Sequence, residues 1–104
     1  MTLTQPQEAL ARAHEVRSKR GRIKQLLKER RLTLSQVLAA DKVDLHTMKL
    51  TDLMRAVPGL REARMAKALR MTRIPPTVTL EGLSYEQRVL LIRWLRKNFP
   101  GVRV

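Results

Sequence analysis

Helix start and stop signals cut this chain into short pieces, and almost no stretch alternates like a strand. Thr33-Leu-Ser-Gln36 and Ser84-Tyr-Glu-Gln87 both have the form of a capping box, in which a hydroxyl and a glutamine side chain satisfy two free backbone amides at a helix start. The first box predicts a short helix beginning near Leu34 and running to about Ala40. The second opens the strongest helix in the chain, where Tyr85, Val89, Ile92, Leu95 and Phe99 recur at helical spacing and Leu91 and Trp94 widen the stripe. Thr51 is placed to cap another short helix through Val57, stopped by Pro58-Gly59. A helix over 61–72 offers Ala63, Met65, Ala66, Ala68 and Leu69 for packing, and Pro75-Pro76 forbids its continuation. Asp41-Lys-Val-Asp44 reads as a turn, and Thr77-Val-Thr-Leu80 is the one short strand candidate. The expectation is an all-α chain, one small domain with five or six helices.

Residues 7–31 are rich in good helix formers, and Pro6 is tolerated at their start. The apolar stripe there is thin: Ala9, Ala13, Val16, Ile23 and Leu27, with Arg20 interrupting. A helix with so little apolar surface cannot be fully buried, and Gly21 weakens it by about 1 kcal/mol relative to alanine. Residues 1–22 are therefore expected to form a basic helical arm, and 23–104 the compact helical domain.

The number that speaks to partners is charge. Twenty-two Lys and Arg face nine Asp and Glu, a net of +13. Residues 1–31 hold nine basic and three acidic residues, 32–60 hold three of each, and 61–104 hold ten and three. A neutral middle between two basic ends predicts a packed centre with two cationic surfaces. So basic a protein attracts polyanions, nucleic acid first and an anionic membrane surface second. The membrane is the poorer fit, because the basic N-terminal segment lacks Trp and Phe anchors and the longest aliphatic run is Val89-Leu-Leu-Ile92. The absence of cysteine excludes disulfides and Cys-ligated zinc and suits a reducing cytoplasm.

Two groups of residues are candidate phosphate contacts. In the N-terminal helix Arg17, Lys19, Arg20, Arg22, Lys24, Lys28, Arg30 and Arg31 surround the rod, so it can lie along a groove and touch phosphates on both sides. Around the Val57-Pro-Gly-Leu60 turn, Gly59 allows a tight bend and the following helix start presents free amides to an anion. Arg61, Arg64, Lys67, Arg70 and Arg73 add cations every three residues, read as one slanted stripe. Arg88, Arg93, Arg96 and Lys97 could extend that surface or serve only to solubilise their helix. Tyr85, Trp94 and Phe99 are better read as core than as base-stacking platforms, since they share the apolar face. His14 and His46 have no ligand-spaced neighbours, and Asp41, Asp44 and Asp52 fit turn and helix-start roles. No nucleophile–base pair can be assembled, so the chain is expected not to be an enzyme, to need no cofactor and to have no small-molecule substrate.

The order of several short motifs resembles the actinobacterial integration host factor family. Leu32-Thr-Leu-Ser-Gln-Val-Leu38 is followed by Met48-Lys-Leu-Thr-Asp-Leu-Met54, Val57-Pro58, Ile74-Pro-Pro-Thr77 and Leu80-Glu-Gly-Leu83, then Gln87-Arg88 and Leu90-Leu91. The resemblance spans about residues 22–99. It implies a compact helical domain with a long N-terminal helix and a helix–two-turns–helix element similar to one in ribosomal protein S13. It further implies double-stranded DNA as partner, little sequence preference, DNA bending, nucleoid organisation and support of phage integration. Carried over by position, Gly59 to Arg64 is the DNA-facing turn and Pro76-Thr77 lies beside DNA. The chain departs from the family at Arg61, where the family has glycine, and at Glu62, where it has lysine. It also has Val78, Thr79 and Glu81 where the family carries arginines. The reading is of a largely non-specific duplex-DNA binder of the nucleoid, taken as a monomer. An RNA- or ribosome-associated binder and a basic adaptor for acidic protein partners are the alternatives.

Overall fold

The structure, a computed structural model, describes residues 18–40 and 42–104. Among these residues the chain is all-helical. Helix α1 covers residues 18–28, α2 Leu34–Ala40, α3 Leu50–Ala56, α4 Glu62–Met71 and α5 Tyr85–Asn98, with a single 3-10 turn at Val43–Leu45. Helix α5 packs against both α2 and α4, and α3 packs against α4. One aliphatic core joins them, with Leu27, Leu34, Leu50, Leu53, Met54, Leu60, Leu91 and Leu95 fully enclosed. No described helix is long and apolar enough to cross a membrane.

Both capping boxes form. Thr33 N–H donates to Gln36 Oε1 at 2.9 Å and Gln36 N–H to Thr33 Oγ1 at 3.3 Å. The corresponding pair at Ser84 and Gln87 measures 2.9 and 3.1 Å. A further free amide of α2, Ser35 N–H, is taken by the carbonyl of Val104 at 3.0 Å, which pins the chain end to the core. Three sequence expectations are corrected. Thr51 is not a cap: α3 begins two residues earlier than that cap would start it, Lys49 holds the cap position without a side-chain bond, and Thr51 is buried inside the helix. The free amide of Leu50 is instead satisfied by Val78 O at 3.1 Å. Ala63 and Ala66 face solvent, and of the α4 set only Met65, Ala68 and Leu69 are buried. Tyr85 is 80% exposed, because the first residue of α5 projects past the packing surface that buries Leu91, Ile92 and Leu95.

The strand candidate at 77–80 comes close to being one. Leu80 N–H donates to Met48 O at 3.0 Å and Glu81 N–H to His46 O at 2.9 Å, and Lys49 and Thr79 form an isolated antiparallel bridge. Arg88 ties this segment down. Its guanidinium donates to Leu38 O at 2.7 Å, Leu80 O at 2.6 Å and Leu83 O at 3.3 Å. It thus joins the end of α2, the 80–83 loop and α5.

Helices α1 and α4 end alike. Arg31 N–H reaches back to Leu26 O at 3.0 Å and Ile74 N–H to Leu69 O at 2.9 Å, the long reverse bond of a Schellman stop. The residue that must turn left-handed is Arg30 (φ 60°) in one and Arg73 (φ 58°) in the other. Glycine is the residue favoured there, since a Cβ crowds the following carbonyl.

Two predictions test these features. Arg88→Met should lower stability by about 1–3 kcal/mol, the usual cost of stranding partly buried carbonyls, read as a reduced urea midpoint with the slope unchanged. Arg30→Gly and Arg73→Gly should each raise stability by about 0.5–1 kcal/mol by relieving left-handed strain, seen as a higher thermal midpoint. A fall in both glycine variants would mean that the arginine side chains contribute more than the strain costs.

Candidate nucleic-acid interface

The described helix α1 runs through the 22/23 boundary without a break, past Gly21. Its first described turn is tied to the loop before α3. Lys19 Nζ contacts Asp44 Oδ2 at 2.9 Å, and Arg20 donates to Asp44 O at 3.3 Å and to the Thr47 hydroxyl. The Asp44 carboxyl is held below its ordinary value, first by the hydrogen bond from Lys19, then by the charges of Lys19, Arg20 and Lys42. Lys19 and Arg20 thus anchor α1, and only part of their charge faces outward. Arg17 lies outside the described residues.

Residues far apart in sequence converge on two adjoining clefts. The larger, about 860 Å³, runs between α1, α3, α4 and the 76–77 loop. Its cations are Arg20 and Lys24 from α1, Lys49 and Arg55. The smaller, about 480 Å³, lies at the 57–61 turn, where Gly59 and Arg61 meet Lys28 and Arg55. Arg55 and Glu62 line both, so their ion pair forms the wall between them. Arg55 Nε donates to Glu62 Oε1 at 2.6 Å and its Nη1 to Asp52 Oδ1 at 3.3 Å. These acids, Glu62 first through its hydrogen bond, raise the guanidinium's pKa further above its ordinary value.

The turn itself depends on Gly59, whose φ is +85° and where a Cβ would meet Val102 Cγ2 at 3.3 Å. Arg64 steadies it. Its Nη1 donates to Gly59 O at 3.3 Å and its guanidinium lies 5.0 Å from the Phe99 ring centre, over a ring that meets Trp94 edge-on at 5.4 Å. Trp94 and Phe99 pack against the core, as the apolar stripe predicts.

The single slanted stripe is corrected. Arg61 is the N-cap of α4 and Arg73 follows its C-cap, so only Arg64, Lys67 and Arg70 belong to the helix. Each step of three residues falls about 60° short of a full turn, so those three fan over about 120° of the surface. Lys67, Arg70 and Arg73 are exposed on the outer side of α4, and none lines either cleft. Among the described residues Arg61, Lys67, Arg70 and Arg73 make no ion pair. Sequence reading passed over Lys49 and Arg55 as contacts. Both stand in the charge-neutral middle of the chain, and only the tertiary fold brings them beside the basic ends.

No protein-family model matches the chain, and a search of curated proteins finds no match either. Among solved structures, one of sIHF bound to an 8bp palindromic DNA superposes with a TM-score of 0.74. That likeness covers 81% of this chain and 97% of the sIHF chain at 23% identity. The chain has the helical fold of that integration host factor.

The Asp44 contact gives a pH prediction. A carboxyl held below its ordinary value stabilises the fold above the unfolded value, near 3.8, and that contribution is lost as pH falls through the lower folded value. In a carbon-13 NMR titration Asp44 should therefore titrate below 3.8, and Lys19→Met should move its midpoint back upward. An unmoved midpoint would show that Lys19 does not hold the carboxylate in solution.

Proposed function

We propose that the chain is a nucleoid-associated protein of the actinobacterial integration host factor type. It binds double-stranded DNA through the phosphate backbone, with weak sequence preference, and bends it. The observation that carries this reading is the convergence of cations from α1 and from the starts of α3 and α4 on two adjoining clefts, in a fold shared with a protein captured on duplex DNA. Each phosphate that a cation neutralises releases condensed counterions, and that release supplies the affinity. The two clefts place cations on either side of the Arg55–Glu62 wall, while Lys67, Arg70 and Arg73 offer charge round the outer side of α4. Contacts on more than one side of a domain are what a bent duplex needs to offset its deformation energy. The cationic residues carry the phosphate contacts, and among the described residues no set of side chains is arrayed to read base edges. The role is binding, not catalysis, by a monomer acting in the nucleoid.

Fluorescence anisotropy of labelled duplex DNA, duplex RNA and single strands, titrated across salt, tests the reading. Duplex DNA should bind best, and log K should fall linearly with log salt. RNA bound more tightly than DNA at equal salt would transfer the site to RNA. Indifference to all three would leave the basic surface to an acidic protein partner. Arg61→Glu with Lys67→Glu, two side chains without an ion pair among the described residues, should weaken duplex binding by roughly tenfold or more at low salt. Helical content by circular dichroism should stay the same.

A further inference from the structure

Arg55 stands where a phosphate contact would be most useful, at the wall between the two clefts. It lines both clefts, with Lys24 and Lys49 in one and Lys28 and Arg61 in the other. A nucleic-acid backbone crossing from one cleft to the other passes over it. Yet its guanidinium is held by two carboxylates, Glu62 at 2.6 Å and Asp52 at 3.3 Å. The three side chains together are net negative, in the middle of an otherwise cationic surface. Among the described residues Glu62 is the single acid lining the smaller cleft. Its side chain is 69% exposed and that of Arg55 50%, so the pair is not built into the core and its stabilising effect on the fold is small. The Asp52 contact is the longer one, an i,i+3 pair along α3. The shorter contact, from Glu62, crosses from α4 to α3 and fixes where the guanidinium points.

We propose that Glu62 withholds Arg55 from the phosphate backbone, so that this one carboxylate sets how many phosphates the protein neutralises and acts as a brake on its affinity. The inference rests on the DNA-binding reading above. Its physical content is a competition between two anions for one guanidinium: the resident carboxylate, already bonded through Nε, and an incoming phosphate. A phosphate must break a charge-assisted hydrogen bond before it gains one of the same kind. With glutamine at position 62 the competitor is neutral, the contact is weaker, and Arg55 can turn to the duplex.

The test is the salt dependence of duplex DNA binding by the full chain, in the wild type, Glu62→Gln, Arg55→Met and the double variant. Glu62→Gln should bind about two- to fivefold more tightly at moderate salt, the range open to an exposed charge pair. Its log–log slope should steepen by about 0.9, one further phosphate. Arg55→Met should leave the wild-type slope almost unchanged, and in the double variant the gain from glutamine should vanish. Glu86→Gln, which removes a charge from the first turn of α5, should leave the slope as it was. The Arg55 Nε–H resonance gives a second readout independent of folding differences: it should stay in place when duplex is added to the wild type and shift in Glu62→Gln. A slope equal to wild type in Glu62→Gln, or a gain that survives Arg55→Met, overturns the brake while leaving DNA binding intact. A wild type that ignores duplex DNA overturns both readings.

Discussion

Thirteen net positive charges on 104 residues push the parts of this chain away from one another. The opposing force is a core of leucine, valine and methionine side chains carried on helices too short to stand alone. Helices α2 and α3 have seven residues each, well under the roughly 12–15 that an isolated helix needs in water. Their stability is tertiary: Leu34, Val37 and Leu38 of α2 and Leu50, Leu53 and Met54 of α3 are buried. Every cation must therefore stay at the surface unless its donors are consumed. Arg88 is drawn inward because three carbonyls take its guanidinium. Among the described residues no buried side-chain polar atom is left without a partner, so the core gives nothing back to the repulsion outside it.

That division of labour explains what could be read in advance. The extent of α2 was legible to the residue, because Thr33 and Gln36 announce its start by local hydrogen bonding. Helix α5 and its aliphatic stripe were legible for the same reason. Thr51 misled because a hydroxyl at a helix start resembles a cap. The helix in fact starts where Leu50 N–H finds Val78 O, twenty-eight residues away in sequence, and no local pattern encodes that choice. Arg88 was opaque too, since an arginine on a helix looks the same whether water or three carbonyls receive it. The site was legible in its parts only. Gly59 and Arg61 stood out beside their turn, but their neighbours Lys28 and Arg55 come from two other helices. Convergence of that kind is a property of packing, not of spacing.

Two arginines hold left-handed backbone that glycine would take without strain. Arg30 and Arg73 sit where glycine would relieve strain, and each is an exposed cation at the end of a basic helix. A chain optimised only for stability would place glycine at both stops. Strain of this kind persists where the surrounding structure fixes it, here through the reverse bonds from Arg31 to Leu26 and from Ile74 to Leu69.

The 76–81 loop carries the same argument further. The family resemblance places arginines where this chain has Val78, Thr79 and Glu81. Here the backbone of residues 78–81 pairs with His46, Met48 and Leu50, and Val78 packs against the core. The loop has become a structural brace. The bridge that braces it sets Lys49 opposite Thr79, and Lys49 then lines the same cleft as Pro76 and Thr77. A cation is thus present beside the loop, supplied from the strand-like residue across from it. Electrostatic recognition of a backbone depends on where charge stands in space and hardly at all on which segment carries it. A site of this kind can therefore draw its charge from different segments and keep the same field.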